Sequence, residues 1–178
     1  MNNFLKILSQ RKSCRSFQKE SLDKDELNGI LQAGIQAPSA MNRQLCEVFA
    51  ITKSEIIDEL ANAIKEVFIE RGEKRPDNYH CAYHAPVLVI VAGSKDDPCR
   101  IEDGSCILEN MFLAATSLNI GSCWINQLKD TQNIDKVRDI LTSIGIPADY
   151  QVVGCAALGY VQDEGQSKEK HSHRIHIV

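Results

Sequence analysis

The chain has 178 residues, 43% of them hydrophobic, and a formal net charge of -4 at pH 7. That length suits one domain with a substantial core, and no Pro/Gly/Ser-rich linker, internal repeat or low-complexity segment divides it. Both signs of charge are interspersed, which argues against nucleic acid as a partner, and no apolar run approaches the roughly 20 residues that span a bilayer.

No basic start followed by an apolar run and a small-residue cleavage site opens the sequence, so a soluble, cytoplasmic protein is expected. Its seven cysteines, Cys14, Cys46, Cys81, Cys99, Cys106, Cys123 and Cys155, are odd in number and far apart. Several sit in apolar runs where a thiol acts as a small hydrophobe, so reduced thiols are expected.

In chain order, Phe4, Leu5, Ile7 and Leu8 predict a short amphipathic helix whose apolar side needs a partner. Asp23 with Glu26 resembles a capping box, and Leu27, Ile30, Leu31 and Ile35 keep a helical period until Pro38 stops it. Cys46 to Thr52 reads as a strand, after which Ser54 is expected to cap a helix carrying Ile56, Ile57, Leu60, Ile64 and Phe68. A polar loop, Arg71 to Asn78, comes next. The continuous apolar run Pro86 to Ala92 predicts a strand at the sheet centre, covered on both faces.

From about Gly104 to Asn119 the apolar positions are too many for one face, which predicts a helix buried nearly all round. A turn is expected at Gly121, then a helix on Ile134, Val137, Ile140, Leu141 and Ile144 closed by Gly145 and Pro147. Val152 to Leu158 is the last strand. Residues 161 to 178 are polar but end in alternating Ile175, Ile177 and Val178, a tail expected to pack. Helices and strands alternate loosely with no Gly-rich turn after a central strand, so the fold class is α+β, a sandwich rather than a dinucleotide-binding sheet.

Two motifs carry the chemistry. Arg11-Lys12-Ser13-Cys14-Arg15-Ser16 gathers three cations and two hydroxyls within six residues, a donor set suited to a phosphate dianion. Ala37-Pro38-Ser39-Ala40-Met41-Asn42-Arg43-Gln44 is rich in amide and hydroxyl groups and better suited to the edge of a planar heterocycle. Each has a plainer reading, a solvated basic loop and a helix-terminating turn. Together they point to a phosphorylated, ring-bearing cofactor.

In spacing and order these motifs resemble the nitroreductase-like flavoprotein family, with its Arg-x-Ser-x-Arg opening and Ala-Pro-Ser-x-x-Asn-x-Gln. The stretch Ile107 to Ile125, ILENMFLAATSLNIGSCWI, is similar to the family's long helix and glycine turn. The resemblance implies a nitroreductase-like sandwich, a central mixed or antiparallel sheet flanked by helices in an intertwined homodimer. It implies FMN held through Arg11, Lys12, Ser13 and Arg15 at phosphate, ribityl chain and pyrimidine edge, with Lys12 or Arg15 stabilising charge on the reduced ring. Pro38, Ser39, Ala40, Asn42 and Gln44 would approach from the partner subunit, and Trp124, Ile125 and Asn126 would touch the ring. Of the basic residues Lys168, Lys170 and Arg174 near the C-terminus, Lys170 and Arg174 are expected to reach the phosphate. Leu45-Cys46 departs from the family's Pro-Trp.

The function this resemblance implies is that of an FMN-dependent oxidoreductase, which takes a hydride from NADH or NADPH and reduces small planar acceptors, nitroaromatics or quinones. With no separate nicotinamide fingerprint, donor and acceptor would use one flavin face in turn, a ping-pong scheme. No acid or base is assigned. The alternatives are a non-catalytic flavin-binding store or redox sensor, and a metal protein built on His80, Cys81 and His84 or on His171, His173 and His176. Neither histidine cluster completes a tetrahedral ligand set and no Cys-x-x-Cys pair exists, so no metal is expected. Cys14 beside its cations is read as a spectator thiol rather than a reactive one.

Overall fold

A computed structural model describes residues 2–163, 170 and 174–177 of the chain. Its frame is a four-stranded antiparallel sheet in the order β1-β2-β4-β3, formed by β1 (Cys46–Ile51), β2 (Val87–Ser94), β3 (Ile120–Ile125) and β4 (Tyr150–Tyr160). The apolar run that predicted a central strand is β2, buried along nearly all its length and flanked by β1 and β4.

Because side chains alternate across a strand, β2 feeds two cores at once. Leu88, Ile90 and Ala92 face one core with α3 (Ser54–Glu70), α5 (Gln127–Thr131) and α6 (Asp135–Ser143), where Leu60, Ile64, Leu128 and Leu141 are buried. Val87, Val89 and Val91 face the other, with Ile30 of α2 (Lys24–Ile35) and Leu108 and Met111 of α4 (Arg100–Ser117). The result is the expected α+β sandwich, helices on both faces of one sheet.

Several local expectations hold. Asp23 caps α2, accepting from the N–H groups of Asp25 and Glu26. The return half of the capping box runs through Tyr160: its hydroxyl accepts from the Asp23 N–H at 3.2 Å and donates to Glu26 at 2.6 Å. α6 gives way at Gly145, whose φ of 91° is the left-handed geometry that favours glycine.

Three expectations are corrected. Gly121 lies within β3 rather than in a turn, because residues 120–125 pair with 155–160 of β4. α4 is not buried all round: its buried positions 103, 104, 107, 108, 111, 112 and 115 form one stripe, with Ile101 and Leu118 exposed. Ser54 is the first helical residue of α3, and Lys53 takes the cap position with no side-chain cap hydrogen bond. Of the tail, Val161 packs against the core, while Ile175 and Ile177 are exposed, Ile177 at 95%.

α1 (Asn3–Gln10) has the amphipathic pattern its sequence predicts yet buries none of its residues. Phe4, Leu5 and Leu8 stay exposed. Burying one such side chain contributes about 1.5–3 kcal/mol, a gain this chain alone does not realise. No helix among the described residues is long and apolar enough to cross a membrane.

Candidate functional site

The basic motif is placed by two isolated β-bridges, one parallel and one antiparallel. After Arg11, the C-cap of α1, Ser13 forms a parallel bridge with Ser122 on the edge of β3, and the Cys14 N–H donates to the Ser122 carbonyl at 2.8 Å. Three residues on, buried Phe17 pairs with Val161 and the Gln18 N–H donates to the Tyr160 carbonyl. Pairing at both ends fixes the backbone of the segment. Cys14 points into the same core as Phe17, buried at 5% exposure as a spectator should be.

Ser13 hydrogen-bonds with the Cys123 thiol of β3, and the charges of Arg15 and Arg11 act on it. Burial pushes that thiol's pKa up, while Arg15, a hydrogen bond with Ser13, and Arg11 pull it down. The net shift is upward, so Cys123 is a neutral wall of the site and not a nucleophile. Arg11 reaches Glu109 of α4 at 3.8 Å. The Arg15 guanidinium carbon lies 5.9 Å from the centroid of the Tyr83 ring, and hydrogen bonding with Tyr83 is the largest of the influences that raise its pKa.

Further along β3, Trp124 packs one side against Phe112, with ring centroids 6.1 Å apart, and its indole N–H donates to the Asn126 side chain at 3.4 Å. The ring passes so close over Gly154 that a Cβ there would lie 2.6 Å from Cζ2. Trp124 is thus both a packing anchor and, at 38% exposed, a surface available at the site. Ile125 is buried, and the Asn126 N–H donates to Gln127.

The second motif is held elsewhere, against the start of α4. The Ala40 N–H donates to both carboxylate oxygens of buried Asp103, and Arg43 Nη2 donates to Asp97 Oδ1 at 2.9 Å. Ser39 Oγ accepts from the Gln44 N–H, while Gln44 Nε2 donates to Asn42. Met41, Asn42 and Gln44 all have positive φ, a costly backbone for side-chain-bearing residues that persists only where the surroundings over-determine it. Pro38 precedes this knot at the end of α2.

Two cavities flank the basic segment. One of about 400 Å³ is lined by Lys12 and Cys14 together with Gln10, Thr116 and Gly121. The other, about 290 Å³, is lined by Arg15 with Tyr79, His80, Tyr83, His84 and Gln127.

The family profile that matches this chain is the Nitroreductase family, over residues 8–160. The chain belongs to the nitroreductase family. A nitroreductase of Bacteroides fragilis, solved with bound FMN, is 40% identical, covers 100% of both chains and superposes with a TM-score of 0.93. A protein of Archaeoglobus fulgidus, provisionally named NADH dehydrogenase/NAD(P)H nitroreductase, is 27% identical over 92% of this chain and 88% of its own. The NADPH-flavin oxidoreductase of Vibrio harveyi is 24% identical over 96% of this chain and 70% of its own.

In this nitroreductase-family chain the fold brings residues 11–15 and 122–126 together, and anchors residues 38–44 separately at the N-terminal end of α4. Lys170 and Arg174 are exposed, while Lys168, His171 and His173 lie outside the described residues. His176 is also exposed.

Sequence reasoning missed Asp97, which precedes α4, and Asp103, which lies on its buried stripe. It also missed Asp58, one helix away from the histidines it faces. Asp58, His80 and His84 each offer a ligand atom within 4.8 Å of the others. The His84 backbone N–H donates to His80 Nδ1, which fixes the His80 proton on Nε2 and makes that nitrogen a donor to Asp58 at 3.1 Å rather than a metal ligand.

Proposed function

We propose that this chain uses FMN to take a hydride from NAD(P)H and to reduce small planar acceptors, nitroaromatics or quinones, with donor and acceptor visiting one flavin face in turn. Membership of the nitroreductase family makes FMN-dependent oxidoreduction the activity class. The observation that carries the residue assignment is the pairing of Ser13 and Cys14 with Ser122, which sets the basic segment 11–15 beside the end of β3 that holds Trp124, Ile125 and Asn126.

The donor set fits the group. Arg11, Lys12 and Ser13, with Lys170 and Arg174 from the tail, hold the phosphate and ribityl chain through charge-assisted hydrogen bonds. Arg15 lines the aromatic cavity whereas Lys12 lines the other one, which favours Arg15 for the pyrimidine edge. Bound FMN supplies the hydride-accepting ring. A guanidinium at its pyrimidine end stabilises the negative charge of the reduced form and raises the potential. Trp124, Ile125 and Asn126 orient the ring from β3. No side chain is required as a general acid or base.

Pro38, Ser39, Ala40, Asn42 and Gln44 complete the site from a second copy of the chain in a homodimer. Their anchoring away from the basic segment supports this, as does the exposed apolar set Phe4, Leu5, Leu8, Ile35 and Met41, the last 84% exposed. Such a set is covered by association more often than left in water.

The test is FMN retention by Arg11→Gln/Arg15→Gln. Two charge-assisted hydrogen bonds lost predict binding weaker by on the order of 100-fold with an unchanged melting temperature. Retention equal to that of the parent chain refutes the assignment. Stopped-flow bleaching of the flavin by NAD(P)H separates an enzyme from a flavin store, and parallel double-reciprocal lines are expected for alternating use of one face.

A further inference from the structure

His80 lies in the loop between α3 and β2, with its side chain nearly buried (6% exposed), and it is fully engaged. Its Nε2 faces the Asp58 carboxylate of α3 at 3.1 Å, and its Nδ1 accepts from the His84 N–H at 3.1 Å. The two histidine rings stack with centroids 4.0 Å apart. The hydrogen bond to Nδ1 closes a segment in which consecutive residues, Tyr83 and His84, have φ of 55° and 53°. Two successive left-handed residues without glycine are strained and persist only where the surroundings hold them. The Tyr83 ring of this segment lies 5.9 Å from the Arg15 guanidinium carbon, and both side chains line the same cavity.

We propose that His80 is a positioning residue for the flavin site: braced by Asp58, it holds the left-handed Tyr83 and His84 pair, and through Tyr83 it sets where Arg15 presents its charge. This rests on the proposed role of FMN. The chain of contacts runs from a helix on one face of the sheet, through a neutral imidazole and one backbone hydrogen bond, to the cation assigned to the pyrimidine edge.

The arrangement makes that cation's support sensitive to protons. A second proton on His80 would have to sit on Nδ1, the atom that accepts from His84, so the imidazolium and this hydrogen bond exclude each other. The groups facing His80 are Asp58 from α3, His84, Tyr79, Cys81 and Tyr83 from its own loop, and Arg15 from the basic segment. Burial, then His84, holds its pKa below the ordinary 6.5, against the opposing pull of Asp58. The neutral, bonded form therefore prevails above pH 6.5, and the support is lost as pH falls below it.

The experiment titrates FMN against the full-length chain by flavin fluorescence from pH 8 to pH 5, for the parent, His80→Gln and His80→Ala. His80→Ala is expected to bind FMN about tenfold more weakly at pH 8. Glutamine keeps an acceptor and a donor but does not titrate, so His80→Gln should bind like the parent at pH 8 and lose less affinity at pH 5. The flavin phosphate titrates near pH 6 in every variant, so the difference between profiles is the readout.

Superimposed parent and His80→Gln profiles, or His80→Ala within twofold of the parent, overturn the proposal. If His80→Ala does not fold, exposed Asp58 supplies the second variant. Asp58→Ala should weaken FMN binding about threefold, the loss of one hydrogen bond, and move the acid limb to lower pH, and an unchanged limb overturns the proposal. A cofactor-free readout is the imidazole 15N spectrum of the parent, which should show His80 as the Nε2–H tautomer at pH 8; the other tautomer refutes the bracing. A parent chain that takes up no FMN at any pH sinks the functional reading itself, and this proposal with it.

Discussion

The Asp103 carboxylate receives the Ala40 N–H with both oxygens, at 3.1 and 3.2 Å, and so ties the second motif to α4. Asp103 is itself buried, on the same helical stripe as Ile107 and Met111. A charged group in such a position is costly unless it is hydrogen-bonded, so the contact serves both partners. It also spans 63 positions in sequence.

Removing that acceptor should destabilise the chain. Asp103→Ala leaves the Ala40 N–H without its partner and is expected to cost about 1–3 kcal/mol. Asp103→Asn, which keeps an acceptor oxygen, should cost less. Urea unfolding monitored by circular dichroism checks the order; an alanine variant as stable as the parent shows the contact to be dispensable.

Arg43 and Asp97 form the second tie. The Asp97 side chain is only 1% exposed, its Oδ1 accepts from Arg43 and from the Cys99 N–H, and its other oxygen has no partner among the described residues. Arg43→Ala strands a buried carboxylate, with an expected loss of about 3 kcal/mol. Arg43→Ala combined with Asp97→Ala should recover part of that loss, since removing both charges is milder than removing one. Equal stability of the single and double variants would contradict this.

Gly154 exists for the indole above it. A methyl group at 154 would sit 2.6 Å from Trp124 Cζ2, well inside contact distance. Gly154→Ala is expected to cost about 1–3 kcal/mol through overpacking and to turn the ring toward water. Because Trp124 is the chain's single tryptophan, a red shift of the intrinsic emission reports the movement directly. An unshifted spectrum would mean that the backbone gives way instead.

Two buried thiols, Cys81 and Cys155, and half-buried Cys46 predict alkaline behaviour. Burial pushes Cys81 up to about 12 and Cys46 to about 11, and raises Cys155 well above its ordinary value. A folded-state pKa above the unfolded one contributes stability that is complete below pH 9 and is lost as pH rises toward the folded value. Stability should therefore fall between pH 9 and 12. At pH 8, exposed Cys106 should react with a thiol reagent while Cys81 and Cys155 stay silent until the chain unfolds.

Much of the fold was legible because it rests on local rules. The run 86–92 could only be a strand buried on both faces, and Asp23 with Glu26 could only begin a helix. Gly121 misled because glycine within a strand looks the same in sequence as glycine at a turn, and only pairing with β4 tells them apart. The density of apolar residues in α4 overstated its burial, since periodicity reports which face is buried and not what else covers the rest. The two motifs were visible from their donor chemistry, yet Asp97, Asp103 and Asp58 were not, because an isolated carboxylate carries no local sign of its partner.

What the sequence determined by itself was the kind of chemistry and the kind of sandwich: donor groups clustered within a few positions, and apolar periods of two and 3.6. What only the tertiary structure decided was the company each group keeps. Arg15 meets Tyr83, Ala40 meets Asp103, and His80 meets Asp58 across 68, 63 and 22 positions of chain, respectively. Such meetings depend on where the sheet sets the ends of its helices and loops, and hydrogen bonds reach only about 3 Å, so a small change in packing would choose different partners for the same residues.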